Sequence, residues 1–115
     1  MSRLTPKRFG FVSDAAEREY KDLPSEIQDE FGKELRRIQF GEDPTIPITH
    51  LNGGGMGGVV ELKINGSPAY RCVYVAKYAD SVIVLHSFEK TTNQTDRQAM
   101  VVIKQRLREL LAEVK

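Results

Sequence analysis

Five side chains in the second half of the chain have the chemistry to move a proton beside an anion. His86 ionises near neutrality, so it can serve as a base or as an acid. Arg71 carries a planar guanidinium that can hold two oxygens of a phosphate at once. Lys63 and Lys90 add compact positive charge, and Glu61 is a second candidate base or a group that orients Lys63 or Arg71. Each has a plainer reading. Arg71 could simply pair with Glu61 or Glu89, His86 could be a satisfied, half-buried histidine, and Lys90 at a strand end could be merely solvated. The choice depends on whether the fold turns these residues to one face.

Three strands must do that turning. Val59–Ile64, Ala69–Lys77 and Ser81–Phe88 are separated by Asn65-Gly66-Ser67-Pro68 and by a tight turn at Ala79-Asp80. Connections this short join antiparallel neighbours, so the three form a meander. With Ala79-Asp80 as a two-residue loop, Val75 faces Val84, Val73 faces His86 and Arg71 faces Phe88. Directly opposite residues share a side. Arg71, His86 and Lys90 then lie with Val73, Val75, Val82, Val84 and Phe88, while Cys72, Tyr74, Ile83 and Leu85 take the other face. A regular four-residue loop over 65–68 would put Glu61 and Lys63 among core residues, where unpaired charge is costly. Gly66 and Pro68 permit an irregular connection, which brings Glu61 and Lys63 round to the Arg71 face.

The remaining elements frame this sheet. Arg8-Phe9-Gly10-Phe11-Val12 alternates like a short strand. Ser13 can cap a helix running to about Leu23, with Ala16, Tyr20 and Leu23 on one side. Pro24 opens a second helix with the stripe Ile27, Phe31, Leu35, Ile38, and Gly41 is placed to end it. The two helices read as an antiparallel hairpin covering the face opposite Arg71. Residues 42–58 read as irregular, with Pro44, Pro47 and the run Gly53-Gly54-Gly55-Met56-Gly57-Gly58. A phosphate-binding loop would need a Lys, a Ser or Thr, and then a helix. Val59-Val60-Glu61 is a strand instead. Thr95 with Gln98 forms a capping box for a last helix, on which Ala99, Ile103, Leu107, Leu110 and Val114 recur at helical spacing. That helix covers the apolar middle of the Arg71 face and leaves its polar edge open. The fold class is α+β: a small antiparallel sheet of an N-terminal strand plus a three-stranded meander, with a helical hairpin on one face and a C-terminal helix.

Composition sets the outer bounds. A chain of 115 residues fits one domain over 1–115 and buries roughly two-thirds of its unfolded surface. No apolar run approaches the roughly 20 residues of a membrane span. The first residues lack the apolar centre of a signal peptide, and cytoplasmic residence is the default. Cys72 is the single cysteine and reads as a small core residue. No ligand pair has metal-binding spacing, and His50 has no visible partner. The net charge is +1, with residues 1–58 holding 8 basic and 10 acidic side chains and residues 59–115 holding 9 and 6. The second half can therefore present a modest positive face.

The strand pattern resembles a known family. Glu61-Leu62-Lys63, Tyr70-Arg71 and His86-Ser87-Phe88-Glu89-Lys90-Thr91, followed by an amphipathic helix, resemble the RelE/HigB superfamily of bacterial toxins, in its phage-derived HigB-like branch. The first half agrees in helix order and in the Leu23-Pro24 that opens the second helix. Lys63 stands where that branch prefers Arg, and Glu89 precedes Lys90.

The resemblance implies the toxin of a type II toxin–antitoxin pair, an endoribonuclease that cuts translated mRNA on the ribosome with no metal or other cofactor. It implies a partner antitoxin, often with a helix-turn-helix domain. Cutting RNA without metal uses the RNA's own 2′-hydroxyl and needs a base, cations for the phosphate's growing charge, and an acid for the 5′-oxygen. Arg71, His86, Lys90, Lys63 and Glu61 are the candidate catalytic residues. Tyr70 could stack on a base, and Arg97, Lys104 and Arg108 could contact the RNA backbone. The rival readings are a toxin of the same fold that inhibits a protein such as DNA gyrase, and a phage remnant that only binds antitoxin. Geometry discriminates: an open groove lined by Arg71, His86, Lys90 and Lys63 favours the nuclease, and Arg71 and Lys63 locked in buried ion pairs favour the binder.

Overall fold

A computed structural model describes residues 5–51, 53, 56–90 and 97–114. After a short strand β1 (Arg8–Phe11), Ser13 is extended and its hydroxyl accepts the Ala16 N–H at 3.2 Å, which starts α1 (Asp14–Lys21). This helix stops two residues short of Leu23, whose N–H turns back to the Tyr20 carbonyl. Helix α2 (Ser25–Gln39) follows Pro24 and buries Phe31, Leu35 and Ile38. It ends at Gly41, where φ is +79°. The Gly41 N–H bonds the Ile38 carbonyl at 3.0 Å and the Glu42 N–H bonds the Arg37 carbonyl at 2.9 Å, the paired closure that a left-handed residue allows. Gln28 Nε2 donates to the carbonyls of Lys21 and Leu23 and ties the two helices together.

The sheet has five strands in the order β1-β5-β4-β3-β2, with β3 (Val59–Ile64), β4 (Ala69–Tyr78) and β5 (Ser81–Lys90) as its meander. It is mixed, because β1 pairs parallel to β5. Strand β2 (Ile48–His50) adds an edge within the stretch 42–58, which the sequence pattern alone reads as irregular. Proline cannot donate to a ladder and is confined to such edges. Pro47 fits there because only its carbonyl is used, accepting the Lys63 N–H at 2.9 Å.

The 65–68 connection is irregular, as the charge argument required: Lys63 pairs with Arg71 and Glu61 with Val73. At the other turn Ala79 and Asp80 both have positive φ, 53° and 49°, the geometry that matches the twist of a hairpin. Tyr78 pairs with Ser81, Val73 with His86 and Arg71 with Phe88, but Val75 pairs with Ile83 and not with Val84. Strand β4 carries an extra residue at Ala76–Lys77, and β5 carries one at Leu85. These bulges reverse the alternation between them. Val82 and Val84 therefore join the core under α1 and α2, while Leu85 and Ile83 join the core under the last helix. Both pairs thus lie on the faces opposite to those that simple alternation from the turn predicts.

Two cores result, one on each side of the sheet. Leu23, Phe31, Leu35 and Ile38 pack on Val60, Leu62, Cys72, Tyr74, Val82 and Val84. Helix α3 (Arg97–Glu113) lays Ala99, Ile103, Leu107 and Leu110 on Val59, Val73, Val75 and Leu85, with Met56 inserted from the glycine-rich loop. Val114 is exposed and is not part of that stripe. Thr95 of the expected capping box lies outside the described residues.

Candidate functional site

The polar edge that α3 leaves uncovered is a cleft of about 200 Å³. Thr49, Glu61, Lys63 and Lys90 form its polar wall, and Leu51, Phe88, Ala99, Met100 and Ile103 its apolar one. Alternation along β3 turns Glu61 and Lys63 to the same side, while Leu62 between them is fully buried in the other core. Lys63 Nζ donates to Thr49 Oγ1 at 3.1 Å. A compact ammonium beside a hydroxyl, with a second ammonium on the same wall, suits an anion.

Arg71 is buried, at 6% exposure. Its Nη1 donates to the Tyr70 carbonyl at 3.0 Å, and its Nε lies 3.8 Å from Glu61 Oε1 with no hydrogen-bond partner among the described residues. It does not line the cleft; Glu61, which does, links it to the cleft wall.

His86 is held elsewhere. Its Nδ1 lies 2.8 Å from Glu19 Oε1 on α1, and its ring stacks on Phe88 with centroids 4.9 Å apart. Arg106 on α3 grips both oxygens of Glu19, at 2.8 and 2.9 Å, and donates to the Leu85 carbonyl at 2.9 Å. Burial would raise the Glu19 pKa, but the hydrogen bonds from Arg106 and His86, with their charges, outweigh it and hold the carboxyl below its ordinary value. The cluster joins α1, β5 and α3 at the point where β5 carries its extra residue. Phe88 stands between the two arrangements, stacked on His86 and lining the cleft.

The fold thus brings Glu61, Lys63 and Lys90 together, sets Arg71 behind them, and places His86 in a separate cluster. Tyr70 is half-buried against the core under α1 and α2, on the face opposite the cleft. Arg97, Lys104 and Arg108 share the outward side of α3, away from the cleft wall formed by Ala99 and Ile103. A wider depression of about 490 Å³ near the end of α2 is lined by Lys33, Arg36, Arg37 and Phe40, with Glu34 and Glu42 among them. Sequence reasoning missed Thr49, Glu19 and Arg106. Arg106 did leave a signal, a charged residue three positions after Ile103 on the apolar side of its helix. Glu19 left none, because its role depends on where α1 docks.

Residues 18–108 match the model of a family described as phage derived protein Gp49-like (DUF891). The chain belongs to this family. The Gp49-like match spans α2, the whole meander and most of α3, and so takes in Glu61, Lys63, Arg71, His86, Lys90, Glu19 and Arg106. It agrees with the phage-derived branch that the strand motifs resemble. Among solved structures the Gp49-like chain is similar to one chain of the toxin–antitoxin complex RelBE2 from Mycobacterium tuberculosis, at 17% identity and a TM-score of 0.45, covering 80% of this chain and 100% of that one. No match was found among curated proteins. Among the described residues no helix is long and apolar enough to cross a membrane.

Proposed function

We propose that this chain is the toxin of a type II toxin–antitoxin pair and a metal-independent endoribonuclease that cuts translated mRNA at the ribosome. The observation that carries the reading is the cleft, where Lys63, Lys90 and Glu61 share one concave wall with Arg71 paired behind Glu61. In the reaction the RNA 2′-oxygen attacks the adjacent phosphorus, its proton passes to a base, and the bond to the 5′-oxygen breaks as that oxygen takes a proton. Lys63 and Lys90 stabilise the phosphate's growing negative charge. His86, from beside Phe88, is the base that takes the 2′-hydroxyl proton, a lysine ammonium of the cleft gives a proton to the 5′-oxygen, and Glu61 holds its charge against Arg71. Arg71, 3.8 Å behind Glu61, adds positive charge behind the cleft wall. Arg97 and Lys104 extend the contact along the RNA backbone. The partners are mRNA on the cytoplasmic ribosome and a small antitoxin, with a helix-turn-helix domain as the resemblance implies. The whole of 1–115 acts as one toxin domain.

The burial of Arg71 against Glu61 favours a second reading, a toxin of the same fold that inhibits a protein target such as DNA gyrase. Inducible expression in bacteria with mapping of transcript 5′ ends separates the two. Growth arrest with cuts at fixed codon positions, lost in Arg71→Ala, supports the nuclease. Arrest with intact RNA and broken DNA overturns it in favour of the binder, and unimpaired growth marks a remnant that only binds antitoxin.

A further inference from the structure

We infer that Glu19 and Arg106 are positioning residues for His86, holding its proton on Nδ1 and leaving Nε2 as the nitrogen that accepts a proton. The inference rests on the nuclease reading of His86 above. An ionised carboxylate can only accept, so at 2.8 Å from Glu19 Oε1 the Nδ1 atom must be the donor. Arg106 keeps that carboxylate ionised by donating to both of its oxygens. The alternative, in which Nδ1 accepts from Arg106, is a contact of 3.4 Å, and the same Nη1 already serves Glu19 and the Leu85 carbonyl at 2.8 and 2.9 Å.

Among the described residues the charges around the ring come from two elements: Glu19 from α1 and Arg106 from α3. Phe88 along the strand and Val73 across it are apolar. The Arg106 anchor also depends on the bulge, because the carbonyl it grips belongs to the extra residue Leu85. Three elements therefore fix one imidazole in plane, rotation and tautomer. A carboxylate behind one ring nitrogen is the usual way to prepare the other nitrogen as a base.

Two measurements test this on the full chain. Nitrogen-15 NMR of the imidazoles reads the tautomer directly, with His86 assigned by its loss in His86→Gln. An unconstrained neutral histidine prefers the proton on Nε2. The expected result is Nδ1–H in the wild type and a return to Nε2–H in Glu19→Ala. Cleavage of mRNA in purified ribosome complexes, followed against pH, reads the consequence. Glu19→Gln is expected to slow cleavage about tenfold, part of the roughly 10²- to 10⁴-fold that a placed proton-transfer group supplies. It also moves the acid limb of the profile to lower pH, while Arg106→Gln moves it to higher pH.

A purely structural tie would lower melting temperature in both variants and leave the acid limb in place. Nε2–H in the wild type overturns the inference. So does a folded Glu19→Gln with wild-type rate and limb while the wild type cuts RNA. A wild type that cuts no RNA sinks the nuclease reading itself, and the cluster is then a structural tie whatever its tautomer.

Discussion

Arg71 shows how narrow the margin is at a single side chain. Its guanidinium is nearly out of water, and its nearest opposite charge, on Glu61, is 3.8 Å away. Replacing Glu61 by Gln removes that charge and leaves a buried cation with fewer compensations. The expected cost is roughly 1–3 kcal/mol, read as a lower urea midpoint. An unchanged midpoint would mean that Glu61 does nothing for the buried cation. Glu19 makes the complementary case in pH. Its folded-state pKa lies below its ordinary value, so its contribution to stability is full above the ordinary carboxylate range and is lost as pH falls through the lowered value. The melting-temperature gap between wild type and Glu19→Gln should therefore narrow on acidification from about pH 5 to about pH 3. A gap that stays constant or widens contradicts the ion cluster. The first pairing was among the readings of the sequence, and the second was not. Glu61 and Arg71 needed the register of the 65–68 connection, which the cost of burying charge supplied; Glu19 and Arg106 needed the docking of helices that no periodicity specifies.

At the scale of elements, local chemistry explains most of what was legible. Ser13, Gly41 and the stripes of α2 and α3 stand where capping and period 3.6 put them. Strand β2 was not legible because three residues between prolines and glycines carry too little pattern. Parallel pairing of β1 was not legible either, since the connection that sets it runs through both helices. The turn at Ala79-Asp80 uses two residues with side chains where both φ values are positive. Ala79→Gly relieves one of them and should raise stability by about 1 kcal/mol, visible as a higher urea midpoint. Gly41→Ala should do the reverse by a similar amount, because Gly41 is the left-handed residue that closes α2. If Gly41→Ala melts as the wild type does, that closure contributes nothing.

Across the whole molecule, the sheet separates two cores of different composition. At the centre of the side under α1 and α2, burial pushes the Cys72 thiol up to about 12. Cys72 should resist alkylation in the native state at mildly alkaline pH and react at once in urea, so its labelling rate reports opening of that core. Ready labelling of the folded protein would show the core to be open. The other side mixes packing with charge, and its cleft exists because α3 covers the apolar middle and stops short of Lys63 and Lys90. Residue counting from the turn gave the correct partners for Val73 and Arg71 and the wrong ones between, because β4 and β5 each carry one surplus residue and the two offsets cancel. A one-residue deletion at the β5 bulge is therefore expected to keep the strand pairing on both sides of it. Removing Leu85 altogether restores simple alternation, with Val84 and His86 still on opposite sides and His86 still beside Val73. What is lost is one buried side chain and the carbonyl that Arg106 holds. A deletion at this one position should therefore separate the location of the histidine from the grip upon it.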